Sequence, residues 1–189
     1  MKFEIVVIGT SLGGLQALEV ILSSLPKTFP LPIAIAQHRH KSSDGELVHF
    51  LQQRSLLPVV DVEDKQAIVP GNVYFAPADY HLLVEPGHFS LSTEAPVSYA
   101  RPSIDVLFES VADAYQERVI GVILTGASHD GAQGLLKINA YSGLAIVQAP
   151  ETSVSRTMPD AAITAVPSAK IIPLSEISPF LVNLCRPSS

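Results

Sequence analysis

The first fourteen residues constrain this chain more than any other stretch. Lys2-Phe3-Glu4-Ile5-Val6-Val7-Ile8 is rich in β-branched apolar residues and breaks into Gly9-Thr10-Ser11-Leu12-Gly13-Gly14, after which Leu15, Leu18, Ile21, Leu22 and Leu25 recur at helical spacing up to Pro26. The pattern predicts a buried strand, a tight turn from Gly9, and a helix from Leu15. Ser11 stands at the crest of that turn, beside the free amides of a helix N-terminus, where anions and developing oxyanions are stabilised. Two chemistries use such a place: phosphate binding, or a serine nucleophile.

The rest of the chain repeats the alternation. Ile33-Ala34-Ile35-Ala36-Gln37-His38 reads as a strand buried on both faces, with His38 at its carboxyl end. Ser43-Asp44-Gly45-Glu46 has a capping-box pattern ahead of Leu47, Phe50 and Leu51. A strand is expected at Leu57–Val62. Val73–Ala76, His81–Val84 and His88–Ser92 are expected to form an antiparallel edge, the last two as a hairpin around Glu85-Pro86-Gly87. Ile104, Leu107, Phe108, Val111, Ala112 and Tyr115 make one helical face, with Ser103 or a neighbour as its cap. Val119–Thr125 is the most β-rich run and predicts a central strand. Beyond it come a helix from Ala132 to Tyr141, a strand at Leu144–Gln148, a small helix near Pro159–Ala162, a strand at Lys170–Pro173, and a last helix with Pro179 in its first turn. The fold class expected is α/β: one domain over residues 1–189, a doubly wound, mostly parallel sheet with helices on both faces and an antiparallel edge hairpin. Ligands of such sheets bind outside the carboxyl ends of the strands, where Ser11, His38 and Asp130 all fall.

Composition narrows the function classes. A net charge of −6 argues against a general nucleic-acid or anionic-membrane binder. No apolar run approaches a membrane span, and Glu4 together with the early glycines separates the first strand from a signal peptide, so a cytoplasmic protein without membrane insertion is expected. The single cysteine, Cys185, rules out an internal disulfide framework, and packing is its expected role.

For phosphate, the glycine turn is a poor match. A dinucleotide fingerprint has glycine where Ser11 stands and an acidic residue where Gln37-His38 ends the second strand, and a Walker lysine is missing. Gly9-x-Ser11-x-Gly13 matches a nucleophile elbow, although the order Ser, His, Asp differs from that of an ordinary α/β-hydrolase. Ser11 as a simple helix cap is the bland alternative. Among the histidines, His38 stands out because it ends an apolar strand beside the first. His40, His49 and His88 read as solvated, His81 as structural, and His129 competes because it adjoins Asp130. Asp130 follows a central strand, with N-capping of the next helix as its structural alternative. Asp79 and Asp105 are weaker acids for this purpose, Asp105 because it complements the dipole of its own helix. His38 and His40 alone make a weak metal pair, and no metal is expected.

Five blocks together resemble the catalytic domain of the chemotaxis protein-glutamate methylesterases, the CheB family. They are Ile8–Gly14, Gln37-His38, Pro70-Gly71 through Tyr74-Phe75-Ala76-Pro77, Arg101–Phe108, and Gly121–Gly126 with Asp130-Gly131-Ala132. The resemblance implies a hydrolase that removes methyl esters from glutamates of chemoreceptors, often deamidates receptor glutamines, and uses no cofactor. It implies Ser11 as nucleophile, His38 as general base and acid, and Asp130 as the carboxylate that orients the ring. His38 Nε2 is then expected within reach of Ser11 Oγ. Backbone amides at Leu12 or Gly13 and near Ala127 are the implied oxyanion donors. The implied partner is the cytoplasmic helical region of a methylated receptor, met through local patches around Arg39, Lys41 and Arg101.

The chain departs from the family at three places. Leu12 stands where threonine is usual, Gly126-Ala127-Ser128 where Gly-Met-Gly is usual, and Arg39-His40-Lys41 where Met-Pro follows the histidine. Family members usually carry a receiver domain ahead of this one, and a start so near the catalytic strand is expected of an excised domain or a stand-alone homologue. A binding or regulatory module that keeps the fold without catalysis, and a nucleotide binder at the first turn, are the alternative readings.

Overall fold

The computed structural model describes residues 2–39 and 45–186. Its centre is β1 (Ile5–Thr10), every residue of which is buried. Gly9 and Thr10 belong to the strand, not to the turn, because they pair with Ala36 and Gln37 of the neighbouring strand β2 (Ile33–Gln37). On its other side β1 pairs with β7 (Val119–Ile123). The sheet continues outward through β4 (Val73–Phe75) and β3 (Val59–Asp61) on one flank, and through β8 (Leu144–Gln148) and β9 (Lys170–Ile172) on the other, giving the order β3-β4-β2-β1-β7-β8-β9. All its described pairings are parallel. The order reverses at β1, so the crevice at its carboxyl end is the switch point of a doubly wound sheet.

Alternation along β1 divides the core. Val6 and Ile8 join Leu18, Ile21 and Leu22 of α1 (Gly14–Ser24), with Leu51 of α2 (Glu46–Gln52) and Ile177 and Leu181 of α6 (Leu174–Leu184). Ile5 and Val7 face the other way, onto Ile104, Leu107, Phe108 and Val111 of α3 (Ile104–Tyr115), Leu135 and Ile138 of α4 (Ala132–Ala140), and Met158 and Ala162 of α5 (Thr157–Ala165). Each fully buried aliphatic side chain of this kind contributes roughly 1.5–3 kcal/mol, so two layers of them fix the strand ends firmly.

Several local expectations change. The hairpin β5 (His81–Glu85) and β6 (His88–Ser92) is antiparallel as expected and forms a two-stranded sheet of its own against α3, but β4 lies in the parallel sheet instead of beside it. The last helix begins five residues earlier than Pro179 suggests. Leu174, Ile177 and Leu181 share the face that packs on the core, and Ser178 Oγ donates to Ile21 O at 2.9 Å, so packing carries the helix through an internal proline. The capping box at Ser43 lies outside the described residues, as do His40 and Lys41. Cys185 packs at the margin of the α1 layer, and burial pushes its thiol up.

Candidate active site

The turn after β1 is held by the end of β7. Ser11 N donates to Thr125 O at 3.0 Å, and Thr10 Oγ1 donates to the same oxygen at 2.8 Å. Thr125 Oγ1 in turn lies 2.9 Å from Leu12 O and accepts from Ser155 N at 2.9 Å. Two glycines are required here. Gly13 has φ +80°, and a Cβ on it would meet Val154. A Cβ on Gly126 would strike the Met158 sulfur and come within 2.9 Å of Ser11 Cβ. Ser11 therefore sits against the backbone of the β7 loop, half-buried.

His38 follows β2 directly, and its amide donates to Thr10 O at 3.1 Å, which sets it beside the turn that carries Ser11. Its Nε2 lies 2.7 Å from Asp130 Oδ2. The ring is 18% exposed while the carboxylate is fully enclosed. Nε2 therefore faces Asp130 and not Ser11, contrary to expectation, which leaves Nδ1 as the second ring nitrogen. Ser11 Oγ forms no hydrogen bond among the described residues. The amides of Leu12, Gly13 and Ala127 also lack partners among the described residues, and Leu12 is 57% exposed.

Asp130 does not cap the helix that follows it. Its Oδ2 also accepts from Ile104 N at 2.7 Å, and its Oδ1 accepts from Ser103 Oγ at 3.0 Å and from Asp105 N at 2.9 Å. It occupies the N-terminus of α3, whose amides and dipole favour an anion. Burial opposes the charge, but the hydrogen bonds from His38, Asp105 and Ile104 outweigh it and hold the carboxyl below its usual range. The reciprocal contact comes from Asp105, expected to serve its own helix. Its Oδ1 accepts from Gly131 N at 3.0 Å and Gly134 N at 2.7 Å, at the start of α4. Burial, set against the Gly134 bond and reinforced by the Asp130 charge, pushes Asp105 up to about 6.

The remaining candidates fall elsewhere. His129 is exposed, and the Asp130 carboxylate bonds to His38, Ser103, Ile104 and Asp105 instead. His81 is buried, with Nδ1 accepting from Ser103 N at 3.2 Å and Nε2 against Ala95 O at 3.1 Å, so it ties the hairpin to the cap of α3. His49 pairs with Gln53, and His88 with Glu85. Asp79 binds Arg101 at 2.6 Å. Arg39 is not part of a surface patch: its side chain is 6% exposed and its Nη2 donates to Asp61 at 2.7 Å and to Ala76 O at 2.6 Å. Ser128 lies outside the left-handed region, and its Oγ accepts from Asp130 N at 3.0 Å, so serine in place of the usual glycine causes no backbone strain. The contribution of Asp105 was hidden because its partners lie 26 and 29 residues away. Among the described residues no three His, Cys, Asp or Glu side chains converge as metal ligands, and no helix is long and apolar enough to cross a membrane.

The family model for CheB methylesterase matches residues 6–181. A putative protein-glutamate methylesterase/protein-glutamine glutaminase of Leptospira interrogans is 44% identical over 185 residues, covering 97% of this chain and 96% of that protein. The protein-glutamate methylesterase FrzG of Myxococcus xanthus is 38% identical over 96% of this chain, which spans 54% of FrzG. The crystal structure of the Thermotoga maritima CheB methylesterase catalytic domain superposes with a TM-score of 0.93 at 34% identity, covering 97% of this chain and all of that one.

Proposed function

The chain belongs to the CheB methylesterase family, and on that premise we propose that it hydrolyses methyl esters of glutamate side chains on chemoreceptors, with Ser11, His38 and Asp130 as its triad. Deamidation of receptor glutamines is the companion reaction, since the Leptospira relative carries both activities in its name. The observation that carries the reading is the 2.7 Å contact between His38 Nε2 and the enclosed Asp130 carboxylate, one strand away from a serine hydroxyl with no hydrogen bond among the described residues.

The chemistry follows from that tautomer. A carboxylate on Nε2 keeps the proton there, so Nδ1 carries the lone pair that serves Ser11. Ser11 Oγ attacks the ester carbonyl while Nδ1 takes its proton. The tetrahedral oxyanion is met by the amides of Leu12, Gly13 or Ala127. Collapse breaks the bond to the methoxy group, which leaves as methanol with the proton from Nδ1. Water, deprotonated by the same nitrogen, then hydrolyses the acyl-enzyme to glutamate and free Ser11. The absent Ser11–His38 hydrogen bond accords with sites whose catalytic contacts tighten only around substrate. The substrate is a helical receptor segment in the cytoplasm. Exposed Leu12, Val154 and Tyr99 offer it apolar contact at the rim.

Covalent labelling tests the reading. An organophosphonate is expected to modify Ser11 alone, as mapped by mass spectrometry of peptides, and to leave Ser11→Ala unlabelled. Intact wild type that takes no label would instead favour a binding module built on this fold.

A further inference from the structure

Backbone bonds join the two carboxylates behind the site. Asp105 N donates to Asp130 Oδ1, while Asp105 Oδ1 grips the amide of Gly131, the residue next to Asp130, and that of Gly134. We infer that Asp105 is a positioning residue for the reaction: its negative charge, clamped on the start of α4, stabilises the His38 imidazolium through Asp130. The inference rests on the reading of Ser11 as the nucleophile.

Geometry separates the charge from the scaffold. An amide oxygen would accept the same two N–H bonds, so capping α4 requires no carboxylate. Asp105 also borders a cavity of about 780 Å³ with His129, Gln133 and Arg156, which leaves room for an amide NH₂ beside it. The charged or titratable groups around it include Glu109 on its own helix, Asp130 and His129 in the β7–α4 connection, Arg156 and Asp160 at the start of α5 across the cavity, and, from β5, His81 on the amide of Ser103. Two of these are acids that disfavour its ionisation, and burial does so more strongly. A charge kept against such opposition has its use where positive charge develops, and that place is the ring on Asp130 when it takes the serine proton.

The test is the pH dependence of Ser11 phosphonylation in wild type, Asp105→Asn and Asp105→Glu, with melting curves in parallel. Removing the charge makes the ring a weaker base. Asp105→Asn is therefore expected to lower the plateau roughly 3- to 30-fold and to move the acid limb to lower pH, whereas Asp105→Glu keeps the wild-type limb. A lower plateau with an unmoved limb is what looser packing alone produces, and an unmoved limb overturns the inference whatever the plateau. Should Asp105→Asn fail to fold, Asp105→Ser, which also removes the charge, carries the same test: a limb moved to lower pH supports the inference and an unmoved limb contradicts it. Wild type that takes no label overturns both this inference and the nucleophile assignment, whereas a labelled wild type with an unmoved limb in Asp105→Asn overturns this one alone.

Discussion

Asp130 and Asp105 cap each other's helices. The carboxylate of Asp130, just ahead of α4, accepts from the first amides of α3, and the carboxylate of Asp105, in the first turn of α3, accepts from Gly131 and Gly134 at the start of α4. The exchange makes the acid of the site part of the joint between two helices. His38 thus leans on a group whose position is set by backbone on both sides.

The two acids predict opposite pH effects on stability. Asp130 is depressed in the folded state, so its contribution is present above the unfolded value of about 3.9 and is lost as pH falls through its folded value. Asp105 is raised from 3.8 to about 6, so its burden is absent below the lower value and complete above the higher. At about 1.4 kcal/mol per unit, that burden is on the order of 3 kcal/mol. Asp105→Asn is therefore expected to be at least as stable as wild type in urea above pH 6, with its advantage shrinking as pH drops towards 4. A variant less stable than wild type throughout that range would contradict this.

Asp130→Ala strands three donors, the amides of Ile104 and Asp105 and the hydroxyl of Ser103, and leaves His38 Nε2 unpaired. With about 1–3 kcal/mol for each buried group left unsatisfied, a loss of several kcal/mol in chemical denaturation is expected, beyond the loss of Ser11 reactivity. Unchanged stability would mean that the cap of α3 is dispensable.

Much of this site was legible because parallel strands end together. Once Lys2–Ile8, Ile33–His38 and Val119–Thr125 read as strands of one parallel sheet, Ser11, His38 and Asp130 were expected at one edge. Which groups hold Asp130 besides His38 was not legible, since they are 25 to 27 residues away and local rules point it at the helix that follows. Arg39 misled for a similar reason. A basic residue in a loop reads as solvated, but tertiary packing closes over this one and pairs it with Asp61, 22 residues on. Pro179 misled by local grammar, because proline favours a first turn, whereas packing of Ile177 and Leu181 on the core carries the helix through it.

Thr125 joins the Ser11 turn to the Ser155 loop through one hydroxyl. Thr125→Val keeps the shape and removes that bridge, leaving Leu12 O and Ser155 N without it. A loss of about 1–3 kcal/mol and slower phosphonylation are expected. If denaturation midpoint and labelling rate both match wild type, the turn does not depend on the hydroxyl.

The His38 and His81 rings are each expected to carry the proton on Nε2. For His38 the cause is Asp130 at 2.7 Å, and for His81 it is Nδ1 accepting from Ser103 N while Nε2 faces a carbonyl. Nitrogen-15 NMR correlations of the two rings distinguish the tautomers directly. An Nδ1–H signature on His38 would place the lone pair on the wrong side for Ser11.

Methanol release from a methylated receptor tests the central claim most directly. Wild type is expected to liberate methanol from receptor glutamyl methyl esters, and Ser11→Ala, folded to the same melting temperature, to release it at least about 1,000-fold more slowly. Release by Ser11→Ala at the wild-type rate would contradict the assignment of Ser11, and with it the account of how this chain works.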